Sequence, residues 1–316
     1  RMVVVRMGRS GLGPYPETAM RHSIFSPFFL VFTIALGSSA GSALGMPLGN
    51  SADYWTESET PWNPELRDPS ANFLGTVALN NCSGALVRFA RSQATDQALV
   101  LTNGHCLENR LPKPGQVLVN LPSRRSFNLL NKDASDVLGT LHAKSMLYAT
   151  MTDTDVALYM LDETYEEVTE RYGVQALSVT EQRPTVGTSI SIVSGYWRRT
   201  YNCKIDDFVH ELREDGWIFK DAIRYTAGGC AVIGGTSGAP IVAGKDRTVI
   251  GINNTINEDG GRCTRNNPCE VDLSGQIQVR QGIGYGEQIY QFNECLASTG
   301  NVLDLAQAGC NLPKPM

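Results

Sequence analysis

GGTSGAP, residues Gly234–Pro240, sets a serine among glycines, with an alanine and a proline behind it. Serine, threonine and glycine gather in turns for backbone reasons alone, so a plain glycine-rich turn is one reading of the stretch. The other reading is a nucleophile. A serine hydroxyl attacks a carbonyl only when a base takes its proton, and the oxyanion that forms needs preorganised donors. Gly235 and Gly238 permit a tight bend. Such a bend lets the amides of Gly235 and Ser237 form one oxyanion hole, where losing a donor typically costs about 2.7–4 kcal/mol of transition-state stabilisation. The nucleophile reading therefore requires a base and an orienting acid elsewhere in the chain.

A candidate base ends the stretch ALVLTNGHC, Ala98–Cys106. An apolar strand runs into Thr-Asn-Gly, and His105 follows at once. Histidine titrates near neutral pH, so an imidazole held at a strand end can serve as a general base. A lone histidine is more often an ordinary surface residue. After the first 43 residues, however, the only histidines are His105, His142 and His210, and His105 alone adjoins a cysteine and a strand end. The candidate acid lies in TDTDVALYML, Thr152–Leu161, where Asp155 opens an apolar run. A carboxylate at the edge of buried structure can accept the ring N–H and fix the tautomer. Asp153 is a rival, and a strand-capping aspartate is the alternative reading of either.

LTNGHC, TDVAL and GGTSGAP, in that order, resemble the three signatures of the chymotrypsin-like (trypsin-fold) serine peptidases. The order His, Asp, Ser is that family's order and not that of the other two common serine-hydrolase folds. The gaps are 50 and 82 residues, which suits a two-barrel fold. NCSGALV, Asn81–Val87, matches the family's stretch before the histidine. The resemblance covers roughly Asn72 to Gly309 and implies a catalytic triad of His105, Asp155 and Ser237. It also implies an oxyanion hole from the Gly235 and Ser237 amides, a peptide or protein substrate, and no cofactor. A Cys82–Cys106 bridge is implied as well, closing a loop worth roughly 3–4 kcal/mol in the chain-entropy model. Family analogy and proximity add Cys203–Cys230, Cys263–Cys269 and Cys295–Cys310.

The chain departs from the family's digestive members at Thr236, where they carry an aspartate that pairs with a newly cut N-terminus. No Ile-Val-Gly-Gly start stands out. The style is that of the bacterial-type branch, which includes glutamyl endopeptidases, so a propeptide is expected to act by steric blocking or as a folding aid. The substrate pocket is expected between Cys230–Gly234, the strand Gly251–Ile256 and the segment Gly282–Gly286. Ala231 falls where trypsins keep their pocket-base aspartate, and Asn253 where glutamyl enzymes keep a histidine. Asn253, Asn254 and Thr255 make a polar wall, favouring neither basic nor acidic residues through those devices. Two other classes remain: a protease-fold binding protein without catalysis, and an esterase using the same triad.

The rest of the chain supports an exported β protein. FLGTVAL, GALVRF, ALVLT, VALYML, SISIV, IVAG and TVIGI are strand-length runs divided by turn residues, a pattern of all-β barrels or sandwiches. The resemblance sharpens this to two antiparallel six-stranded β-barrels with the active site in the cleft between them. ETYEEVTERYG, Glu163–Gly173, reads as a short helix or a charged loop, and the barrels divide near residues 165–185. Glu294–Gly309 has the spacing of a short C-terminal helix.

Ile24–Leu36, IFSPFFLVFTIAL, is uncharged, follows Arg21 and precedes small residues, the pattern of a secretory signal. A core segment or membrane anchor is the alternative. Residues 1–43 are expected to be an upstream segment and signal, with Met20 a natural start, and 44–71 a propeptide or N-terminal arm. Residues 1–43 carry four arginines and one glutamate, so without them the net charge moves from −5 to −8. An acidic chain without a basic run is a poor nucleic-acid binder. Eight cysteines, none in a CxxC pair, suit four disulfides rather than a metal site. The expectation is a secreted (extracellular or periplasmic) monomer with no nucleic-acid or membrane partner.

Overall fold

The computed structural model describes residues 68, 70–108, 110–297 and 301–316. The signal reading of Ile24–Leu36 and nearly all of the 44–71 arm therefore lie outside the described residues. Among those described, no helix is long and apolar enough to cross a membrane.

Among the described residues, sixteen strands carry the fold. In the first half these are β1 (Thr76–Ala78), β2 (Ser83–Arg88), β3 (Gln97–Thr102), β4 (Val117–Pro122), β5 (Ser126–Leu130), β6 (Val137–Thr150) and β7 (Val156–Thr164). The order β1-β5-β6-β7-β3-β2 closes because β1 also pairs with β2, giving a six-stranded antiparallel barrel. The second half comprises β8 (Leu177–Ser178), β9 (Ser189–Ser194), β10 (Arg199–Glu214), β11 (Trp217–Tyr225), β12 (Pro240–Ala243), β13 (Thr248–Ile256), β14 (Cys269–Val271), β15 (Ile277–Gln278) and β16 (Gly284–Gln288). There β11-β16-β13-β12-β9-β10 closes through the β10–β11 pair, a second ring of six. Between the rings, β8 runs parallel to β2.

ETYEEVTERYG resolves as helix α1, Tyr165–Tyr172. Thr164 and Glu167 form a reciprocal capping box, and Gly173 ends the helix in the left-handed conformation. The C-terminal helix is short and of 3-10 type, Tyr290–Cys295. It falls earlier than the spacing of 294–309 implies, because Leu296 pairs with Leu303 and the Cys295–Cys310 bridge folds the segment back on itself. The other bridges are Cys82–Cys106, Cys203–Cys230 and Cys263–Cys269.

Each barrel fills its own interior. Leu86, Val100, Phe127, Leu129 and Tyr159 pack inside the first, and Ile192, Ile223, Tyr225 and Ile241 inside the second. A separate cluster joins them: Val87, Leu99, Leu101 and Leu158 meet Val193, Val242, Val249 and Ile252. Burial of about 1.5–3 kcal/mol per such side chain fixes one barrel against the other, and so fixes the cleft. Phe292 ties the chain end to this cluster, tilted on Phe89 and edge-on to Tyr148. Phe292→Ala is expected to cost about 3–5 kcal/mol of stability, read as a lowered midpoint of denaturant unfolding. An unchanged midpoint would mean that the terminal segment does not hold the first barrel.

Candidate active site

β3 ends at Thr102, and the chain turns through Asn103 into a single 3-10 turn, Gly104–Cys106. The turn brings His105 over the start of β7. It needs glycine at 104, since a Cβ there would collide with the Thr150 carbonyl and crowd Asp155. The Cys82–Cys106 bridge fastens the far side of the turn to β2. Its two sulfurs lie close to His105 but are consumed by the bond, so this cluster offers no thiolate to a metal.

Asp155 is wholly buried. Its Oδ2 meets His105 Nδ1 at 2.6 Å, and its Oδ1 accepts the His105 backbone N–H at 3.0 Å. Asn103 Nδ2 donates to the Asp155 carbonyl at 2.6 Å, so side chain and backbone of the aspartate are both held. The His105 side chain keeps 25% of its surface, enough to present the other ring nitrogen to the cleft. Burial alone would lower the imidazole pKa. The Asp155 charge and hydrogen bond outweigh it, and the pKa rises above its ordinary value.

The rival, Asp153, has a different task. It sits in the left-handed region at φ 60° and pairs with Lys220 at 2.9 Å. Its backbone bridges Ile218 and Lys220 of β11. A hairpin of the second barrel is thereby clipped to the turn that delivers Asp155.

Ser237 lies on a loop bound to both barrels. Ser83 N–H donates to the Ser237 carbonyl at 2.8 Å, and Ser83 Oγ to the Gly235 carbonyl at 3.2 Å. Gly238, at φ +75°, packs so tightly on Thr102 and Ser83 that a Cβ would collide with both. The serine is thus stitched to the strand leading to His105. Its hydroxyl donates to the Asn254 carbonyl at 3.3 Å, and among the described residues it makes no hydrogen bond to His105. Thr236, Gly238 and Ala239 amides have carbonyl partners at Ile233, Asn253 and Thr236. No such partner engages the Gly235 and Ser237 amides among the described residues.

Asn254 is freed by a bulge. β13 and β16 pair Asn253 with Gly286 and then Thr255 with Tyr285, leaving Asn254 as the extra residue. Bulges re-aim side chains. Here the bulge sends the Asn254 carbonyl to Ser237 and its amide to Glu287 Oε1, at 2.7 Å. On the pocket side, Tyr225 OH donates to Asn253 Oδ1 at 3.1 Å. Tyr225 and Val232 also crowd Gly284, and Tyr225 crowds Gly286. Val232 is buried while Ala231 is exposed, and Thr255 is half-buried.

Sequence reasoning missed Glu287, Glu214 and Tyr225. Glu214, half-buried at the β10–β11 turn, accepts Asn266 N–H at 2.7 Å. Burial raises its pKa against the lowering effects of Thr255 and Asn266. A signal for Glu287 was present in GYGEQ: a charged residue follows a small-aromatic-small run and leads into an apolar terminus.

The family model of the trypsin-like peptidase domain matches residues 82–252. Among solved structures, the chain is similar to the MamO protease domain from Magnetospirillum magneticum, at 14% identity over 69% of this chain and 94% of that one, with a TM-score of 0.41. It is similar to a Glu endopeptidase at 14% identity, over 73% and 88%, with a TM-score of 0.38. For the Anisep protease from Arthrobacter nicotinovorans the values are 14%, 70% and 92%, and 0.40. No curated protein matches the chain significantly. The family match runs from Cys82 to Ile252 and takes in His105, Asp155 and Ser237; with more than half of its length so matched, the chain belongs to the trypsin-like peptidase domain family.

Proposed function

We propose that the protein is a secreted serine endopeptidase working through His105, Asp155 and Ser237. The observation that carries this reading is the His105–Asp155 pair, doubly hydrogen-bonded beneath a serine loop docked on the same strand end. Asp155 fixes the tautomer with the proton on Nδ1, so that Nε2 is the free base. The Ser237 hydroxyl leaves the Asn254 carbonyl by rotation about χ1 and gives its proton to His105. Ser237 Oγ bonds to the peptide carbonyl carbon, and the carbonyl electron pair moves to oxygen, facing the Gly235 and Ser237 amides. His105 then protonates the leaving amine as the C–N bond breaks. Water, deprotonated by His105, releases the acyl group by the reverse sequence.

Substrate side chains would enter beside Val232, Asn253, Asn254 and Thr255, with Ala231 at the exposed edge. Tyr225 OH engages the Asn253 amide oxygen, leaving a neutral polar wall without a charged group at these positions. Four disulfides support an oxidising destination, extracellular or periplasmic. In this reading, residues 1–43 are an upstream segment and signal peptide, 44–71 the propeptide or N-terminal arm, 72–310 the peptidase domain, and the protein acts as a monomer.

A fluorophosphonate probe is expected to label the folded wild-type chain but neither Ser237→Ala nor denatured protein. Absence of labelling across neutral pH, after removal of any propeptide, would favour a protease-fold binding protein. A peptide library separates peptidase from esterase: ester turnover without peptide cleavage would overturn the endopeptidase reading. Asp155→Asn is expected to slow labelling by about four orders of magnitude, as loss of the orienting acid does in triads generally. The acid limb of the labelling rate should lie above about pH 6.5, the unperturbed imidazole value, because the Asp155 pair raises the His105 pKa. A limb at or below that value would count against His105 as the base.

A further inference from the structure

Behind the triad lies a second carboxyl group that the mechanism above does not use. Glu287 on β16 is 1% exposed. Its Oε1 accepts Asn254 Nδ2 at 2.7 Å, and its Oε2 lies 3.0 Å from Thr154 Oγ1. The Asp155 backbone N–H is also directed at it. Three of its contacts thus come from two places: the turn that carries Asp155 in the first barrel, and the bulge whose carbonyl holds Ser237 in the second. Among the described residues no lysine or arginine forms an ion pair with Glu287, and the partner of Asp155 is His105. The titratable groups facing it are Asp155 before β7, His105 after β3 and Tyr225 on β11.

Two buried carboxyls beside a single imidazole cannot both ionise cheaply. Asp155 has the imidazole and its own backbone donors, so the proton resides on Glu287. Glu287 Oε1 accepts from Asn254 and Oε2 accepts from the Thr154 hydroxyl; once the carboxyl is protonated, either oxygen of the Thr154 contact can be the donor, so the neutral acid keeps both links. We propose that Glu287 is a positioning residue: as a neutral acid it ties the Asp155 turn to the Asn254 bulge, holding the base-orienting half of the site in register with the serine half. Burial, and next the Asp155 charge, push its pKa up to about 8, in keeping with this state.

The sign of the pH effect follows. Folding raises the proton affinity of Glu287, so between about pH 4.5 and about pH 8 the folded chain keeps a proton that the unfolded chain releases. Its contribution to stability is therefore most favourable below that window and falls as pH rises through it. Above about pH 8 the ionised carboxylate repels Asp155, and that repulsion loosens the tie. Gln in its place offers one acceptor and one donor at every pH.

The catalytic consequence rests on the triad reading; the structural one does not. The test compares wild type, Glu287→Gln and Glu287→Ala by thermal melting from about pH 5 to pH 9, by fluorophosphonate labelling over the same range, and by the downfield His105 Nδ1–H proton resonance. Wild type is expected to lose melting temperature relative to Glu287→Gln as pH rises through the window. Its labelling rate should decline near pH 8, a limb that Glu287→Gln lacks. Glu287→Ala should label roughly tenfold or more slowly, since small misplacements of reacting groups cost that much. Glu287→Gln should restore most of that loss. Parallel melting profiles for wild type and Glu287→Gln would overturn the neutral-acid assignment. So would a Gln variant as impaired as Ala. Labelling of a folded Glu287→Ala at the wild-type rate would overturn the positioning role. If Glu287→Ala does not fold, wild type and Glu287→Gln decide through the melting window and the alkaline limb. If wild type does not label at all, the peptidase reading fails by itself. Melting and the His105 resonance, retained in Gln and lost in Ala, then still decide on Glu287.

Discussion

A carboxylate sealed from water must be satisfied by the protein that seals it, and Asp155 is the group around which this molecule is arranged. Its side chain accepts from both the backbone and the ring of His105, while Asn103 secures its carbonyl. Each contact dictates something nearby. The backbone bond requires the 3-10 turn at Gly104–Cys106. That turn requires a residue without a side chain beside Thr150. The Asn103 bond requires β3 to end one residue before it. Removing one partner from such a buried charge costs more than the bond itself, because the remaining group stays desolvated.

Four separate devices bring the barrels together at this point. The apolar cluster from Val87 to Ile252 sets their distance but is indifferent to small slides, since dispersion has little direction. Direction comes from polar contacts. Asp153 is clipped between Ile218 and Lys220, and Ser83 reaches the carbonyls of the serine loop. Glu287 joins Thr154 to Asn254. The long β10–β11 hairpin earns its length here, for its outer end reaches the first barrel's Asp153 turn while its inner end closes the second ring.

The candidate site residues were legible as unusual residues in short stretches: a histidine after a strand, an aspartate before one, a serine among glycines. Seven apolar runs were legible for the same local reason. What escaped was built from charged strands. β10 reads RTYNCKIDDFVHELRE, and a register shift between Ile205 and Asp207 breaks the alternation that would mark Tyr201, Ile205, Val209 and Leu212 as inward. Its turn was readable in principle. Glu214 pairs with Trp217, so Asp215-Gly216 is a two-residue hairpin loop, both residues at positive φ. β6 escaped differently: its first half alternates, and its last five residues are buried throughout, so no single period describes it. Glu287 stands out locally only as a charge in GYGEQ; its link to Asn254 depends on the bulge in β13, which that stretch does not encode.

Thr236 connects the serine loop to the question of activation. In digestive relatives an aspartate at this place needs a new N-terminus to order the loop. Here the side chain is a buried neutral hydroxyl that donates to Tyr201 OH at 3.4 Å. The ordering is instead supplied by groups already present in the folded chain. Trp197 Nε1 donates to the Gly234 carbonyl at 2.5 Å, Ser83 binds at Gly235 and Ser237, and Gly238 N–H donates to Asn253. A loop held by pre-existing neutral bonds leaves no missing charge for a new N-terminus to supply.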